Sequence, residues 1–81
     1  MLWSDLEGKE IVNLRDGEKL GRMSDADLII DPATGEIHAL AVEGGWRLLG
    51  GRSVWEIPWS SVRRIGSEVV IVDVDPATVR L

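Results

Sequence analysis

The chain has 81 residues, 44% of them hydrophobic and 28% charged, with a formal net charge of −5. That length holds one small core, which excludes a multidomain cofactor enzyme, and the absence of cysteine excludes disulfides, thiolate catalysis and Cys-based metal sites. The acidic balance disfavours a dedicated nucleic-acid binder, and the lack of a long apolar run or a basic-then-apolar leader predicts a cytoplasmic protein with no stable membrane insertion.

Ser4-Asp5-Leu6-Glu7 has the spacing of a capping box and predicts one helical turn, ended by Gly8, that lays Leu2, Trp3 and Leu6 over the core as a lid. Glu10 to Arg15 alternates apolar and polar residues and runs into the turn signal Asp16-Gly17, so a strand and a hairpin are expected. From Lys19 to Ile30 a single long strand is predicted, bent or bulged at Gly21. It turns Ala26, Leu28 and Ile30 to one face and Asp25, Asp27 and Ile29 to the other. Asp31-Pro32-Ala33-Thr34-Gly35-Glu36 is a hairpin loop, with Pro set for the early turn position and Gly for a positive φ.

Ile37 to Glu43 is a strand apolar enough to be partly covered on both faces, and Gly44-Gly45 breaks it. Ser53 to Ile57 is the next strand, closed by Pro58, and Trp59 to Ile65 reads as one helical turn ended by Gly66. Val69 to Val74 is a last strand rich in β-branched residues, which sets the domain at 1–74 and leaves 75–81 as a fraying tail. Short strands, glycine punctuation and the lack of a long helix define an all-β class, a small barrel with one or two single-turn helices.

The candidate chemistry is sparse. Asp25, Asp27 and Asp31 lack the spacing of a calcium loop, and Asp31 has a competing use in accepting turn amides, so a solvated face is expected rather than a metal site. His38 has no ligand set around it in sequence and is expected at the surface. Neither glycine pair has the context of a phosphate loop, and Ser60 and Ser61 lack a nucleophile motif. No catalytic residue, metal or cofactor is predicted.

Charge and aromatic content point elsewhere. Residues 1–45 carry a net −6 and residues 46–81 a net +1, and the second half holds Trp46, Trp55 and Trp59 with all five of its cations as arginine. Trp3 and Trp59 read as core or lid residues. The segment Trp46-Arg47-Leu48-Leu49-Gly50-Gly51-Arg52, followed by Trp55, combines the side chains most enriched at binding hot spots with glycine pairs. Trp46, Arg47, Leu48, Leu49, Arg52 and Trp55 are therefore the predicted partner-binding or dimer-interface residues. A homodimer is favoured over an unidentified protein partner, because symmetric dimers are the commonest assemblies. RNA or ribosome binding by the Arg/Trp-rich half is the alternative, opposed by the acidity of the remainder.

Several motifs in order resemble the PRC-barrel family: Ser4-x-Leu6-x-Gly8-Lys9-x-Ile11, Asp16-Gly17-Glu18-x-Leu20-Gly21, Asp27-Leu28-x-Ile30-Asp31-x-x-Thr34-Gly35-x-Ile37, Leu40-x-Val42 and Ile57-Pro58-Trp59-x-x-Val62-x-x-Ile65-Gly66. The similarity spans residues 2–74 and is nearest to the single-domain, sporulation-associated branch of spore-forming bacteria. In that branch a glycine, arginine and bulky-apolar loop precedes an Ile-Pro-Trp turn. This chain has Trp46, Leu48 and Leu49 where similar sequences often place phenylalanine, and Trp55 at an aliphatic position. The resemblance implies a six-stranded barrel used as an interaction module with no catalytic residue. Related domains occur in a ribosome maturation factor that binds a ribosomal protein and in a photosynthetic subunit that packs against a membrane complex.

Overall fold

The computed structural model describes residues 1–44 and 53–75. Among them are one helical turn, α1 (Trp3–Leu6), and seven strands: β1 (Glu10–Asn13), β2 (Lys19–Arg22), β3 (Ala26–Ile30), β4 (Ile37–Gly44), β5 (Ser53–Pro58), β6 (Val62–Ile65) and β7 (Val69–Val72). They form a four-stranded sheet in the order β2-β1-β7-β6 and a three-stranded sheet in the order β3-β4-β5. β1 and β7 run parallel, and every other pair is antiparallel.

Two 3-10 turns, Met23–Asp25 between β2 and β3 and Trp59–Ser61 between β5 and β6, carry the chain from an edge of one sheet to an edge of the other. The two sheets are thus joined at two opposite corners and share one core. Ile11, Leu20, Val70 and Val72 enter it from the larger sheet and Leu40, Val42 and Ile57 from the smaller. Leu6 of α1, Met23 of the first corner and Val74 beyond β7 complete it. Burial of each such side chain stabilises by roughly 1.5–3 kcal/mol, so this cluster holds the sheets together.

The five strands read along the chain become seven, against the six that the resemblance implies, for two reasons. The stretch predicted as one strand from Lys19 to Ile30 splits at Met23, whose side chain is 1% exposed and anchors the corner. The helical turn expected over Trp59 to Ile65 stops after Ser61, and Val62–Ile65 pairs with β7 instead, as its β-branched ends favour. Val62 and Ile65, three residues apart, both pack on the core, which strict alternation forbids. A register shift between Val62 and Arg64 reconciles them and leaves Arg63 and Arg64 both exposed.

Other expectations meet the structure as follows. The bulge near Gly21 is present, with Ile11 opposite Gly21 and Val12 opposite Lys19. Gly17 and Gly35 take φ of 72° and 79° in the two predicted turns, a region that a side chain disfavours. β4 is covered on both faces over Ala39–Val42, where Ala39, Leu40 and Val42 are buried. Ile30, by contrast, is 52% exposed rather than inward, because a register shift between Ile29 and Ile30 breaks the alternation begun by Ala26 and Leu28.

The capping of α1 also differs. The Leu2 amide donates to Asp5 Oδ2 at 2.7 Å and the Asp5 amide donates to the Leu2 carbonyl at 2.9 Å, so Asp5 takes the role expected of Ser4 and Glu7. The turn seats Leu6 in the core but leaves Leu2 69% and Trp3 40% exposed, so the lid is one residue wide. Trp59 does pack against the core, as read from the sequence.

Candidate interaction site

β4 and β5 pair antiparallel, and their last rung among the described residues joins Gly44 to Ser53. Of the predicted site residues, Trp46, Arg47, Leu48, Leu49 and Arg52 lie outside the described residues. Trp55 sits on β5 opposite the fully buried Val42 and is half-buried against the core. Its indole thus packs along the β4–β5 pair, and the other five lie between these two strands in sequence.

The carboxylates and the histidine fall where the sequence places them. Asp25, Asp27, Asp31 and His38 are exposed, and Asp31 Oδ1 accepts from the Ala33 amide at 2.9 Å in the hairpin turn. Among the described residues no three His, Asp or Glu side chains converge to hold a metal ion.

Three polar arrangements were not read from the sequence. Asn13, fully buried, donates from Nδ2 to the Val74 carbonyl at 2.9 Å, and its Oδ1 accepts from the Val74 and Arg15 amides, each at 3.3 Å. Lys9, 9% exposed, donates from Nζ to the carbonyls of Gly66 at 2.5 Å and Ser67 at 2.8 Å. Both residues alternate with Ile11, and that period of two was the available signal: a residue two places from an inward Ile also points inward.

The third arrangement surrounds Asp73. Arg15 Nε donates to its Oδ1 at 2.7 Å, and an Arg63 Nη lies 3.6 Å from its Oδ2. The Arg15 hydrogen bond holds the Asp73 carboxyl below its ordinary range; partial burial opposes this, and the charges of Arg15 and Arg63 reinforce it. The same bond raises Arg15. Because the folded value lies below the unfolded one, the stabilisation is fully present above the unfolded carboxyl value of about 3.9 and is lost as pH falls through the folded value. In urea titrations, Asp73→Asn should therefore lower the midpoint modestly at pH 7 and hardly at all at pH 2. A difference that persists at pH 2 would trace to packing instead of charge.

A cleft of about 630 Å³ lies between α1 and the β6–β7 turn, lined by Asp5, Lys9, Glu10, Arg22, Ser67 and Glu68 among others. Much of its charge is already engaged. Glu10 meets Lys19 at 3.2 Å and Arg22 at 3.7 Å, Asp5 caps α1, and Lys9 binds the turn carbonyls. That leaves the cleft as a junction between elements.

The fold and its polar clamps define a small all-β domain of two corner-joined sheets, and the chain belongs to the PRC-barrel family, whose domain it matches over residues 1–79. It is similar to two proteins of Bacillus subtilis (strain 168). With "Uncharacterized protein YmxH" it shares 37% identity over 78 residues, covering 91% of this chain and 89% of that protein. With "Probable sporulation protein YlmC" it shares 36% identity over 72 residues, covering 85% and 86%. Both likenesses extend along nearly the whole of each partner, so the domain constitutes most of either relative. Among the described residues no helix is long and apolar enough to cross a membrane.

Proposed function

We propose that this PRC-barrel domain is a non-enzymatic protein-interaction module of the cytoplasm that self-associates through Trp46, Arg47, Leu48, Leu49 and Arg52, with Trp55 at their base, and that it serves sporulation. The observation that supports the reading is that the sequence between two paired strands, β4 and β5, holds a tryptophan, two leucines and two arginines. Such side chains supply large apolar contact and charge-assisted hydrogen bonds together, the combination that dominates binding energy at interfaces. The likeness to a probable sporulation protein supports the biological setting.

Light scattering over a dilution series from nanomolar to high micromolar protein tests the assembly. The wild-type chain is expected to give a dimer, and Leu49→Asp a monomer with an unchanged circular dichroism spectrum, since a charge buried in an apolar contact is strongly unfavourable. A wild-type monomer at every concentration would overturn self-association. Saturable, salt-sensitive binding of single-stranded RNA, lost on Arg47→Ala and Arg52→Ala, would replace it with the nucleic-acid reading.

A further inference from the structure

The two sheets end in four edge strands, β2 and β6 of the larger and β3 and β5 of the smaller. The cations of β2, Lys19 and Arg22, already meet Glu10, whereas the β3 and β6 edges carry exposed charge of opposite sign. β3 pairs only with β4, and β6 only with β7, among the described residues. At the β3 edge Asp27 is exposed, with Asp25 exposed just before the strand and Ile30 52% exposed at its end. At the β6 edge the bulge turns Arg63 and Arg64 outward together. Asp25, Asp27 and Arg64 have no ion pair with any described residue, and Arg63 reaches Asp73 only at 3.6 Å.

Charged edges ordinarily protect a sheet from pairing with its neighbours, because like charges directly opposite one another destabilise a ladder. Here that protection acts on like edges alone. Two β3 edges would set aspartates against aspartates, and two β6 edges arginines against arginines. A β3 edge against a β6 edge sets aspartates against arginines, and the strands are close in length, five residues in Ala26–Ile30 against four in Val62–Ile65.

From this complementarity we infer that β6 is the docking edge for β3 of a second copy of the chain, a contact separate from that of residues 45–52. The backbone groups of the two edges supply the ladder, and the side-chain charges select the partner edge. The interface is heterologous, since different surfaces meet, so a pair of copies keeps one free β3 edge and one free β6 edge and further copies can add head to tail. Exposed charge pairs are screened by salt, so the association weakens as ionic strength rises.

Sedimentation velocity with two double variants tests it, Arg63→Glu with Arg64→Glu and Asp25→Lys with Asp27→Lys. All four side chains are exposed, and circular dichroism melts confirm folding. In low salt the wild-type chain is expected to grow beyond a dimer with concentration and to shrink toward a dimer in 0.5 M salt, a test concentration of about twenty times a low-salt buffer. Each double variant alone should lose the growth. An equimolar mixture of the two should recover the growth, because the acidic β3 edge of one meets the basic β6 edge of the other and the two charge-reversed edges are complementary in turn, so the variants alternate head to tail. Growth retained in both variants, or no recovery in the mixture, would overturn the proposal. The dimer removed by Leu49→Asp reports on the loop reading separately, so either contact can fail while the other stands.

Discussion

Replacement of Asn13 by leucine is expected to lower the unfolding free energy by about 2–4 kcal/mol, a large fraction of the roughly 4–12 kcal/mol available to a domain of this size. The reason lies in what the side chain joins. Beyond β7 the chain continues through Asp73 to Val74, whose side chain is 3% exposed and belongs to the core. The Asn13 amide receives the Val74 carbonyl and N–H on its two ends, and so extends the parallel β1–β7 pairing past Val72 without further backbone. Leucine has similar volume and gains apolar contact, but it leaves both Val74 groups without side-chain partners, at about 1–3 kcal/mol each.

A urea titration followed by tryptophan fluorescence would measure the loss, with a thermal midpoint lowered by more than about 10 °C. Asn13→Asp refines the test. A carboxylate can accept from the Val74 N–H but cannot donate to its carbonyl. Protonation restores the donor, so the introduced acid has a folded pKa above its unfolded one. Its favourable contribution is present below about pH 4 and lost as pH rises through the folded value, so the deficit relative to wild type should shrink on acidification. An Asn13→Leu chain as stable as wild type would mean that the Val74 groups are satisfied by other means.

Regular alternation made part of this fold readable, and its interruptions hid the rest. Ile11, Val70 and Val72 follow the strand period, and Asp16-Gly17 and Thr34-Gly35 supply turns with glycine at positive φ. Ile30 departs because of one register shift, and Val62 with Ile65 because of another. A bulge is a tertiary compromise between neighbouring strands and leaves little local signature, so period alone sends such residues to the wrong face. Met23 follows the same logic at larger scale. A methionine between Arg22 and Ser24 fits a strand locally, and only the need to turn from one sheet to the other makes it a buried corner. Among the candidate site residues, Trp55 was legible as an apolar strand position near the glycine-flanked segment. Its half-burial opposite Val42 depends on pairing with β4, which composition does not encode.

Lys9→Met should cost about 1–3 kcal/mol and act first on the β6–β7 turn, because three separate elements meet at this residue. Its amide closes α1 on the Leu6 carbonyl at 2.9 Å, and its carbonyl accepts from Met23 at the first corner at 2.9 Å. Its ammonium gathers the Gly66 and Ser67 carbonyls, 57 and 58 residues away in sequence. Methionine keeps the length and the apolar stem, so the backbone bonds and the packing persist while the charge-assisted bonds vanish. Two effects then oppose each other. Loss of the donors frees two carbonyls, whereas loss of the ammonium relieves the desolvation of a nearly buried charge. Ser67 is exposed, so its carbonyl can turn to water once released, and this sets the loss below that of Asn13→Leu. Amide hydrogen exchange separates a local from a global effect. The Gly66 amide, bonded to Val69 O at 2.7 Å, and the Glu10 amide, bonded to Glu68 O at 3.1 Å, should lose protection ahead of the β4 amides. Equal loss at all three places would make Lys9 a contributor to the whole core. Unchanged exchange and stability would show that desolvation of the ammonium cancels what its bonds contribute.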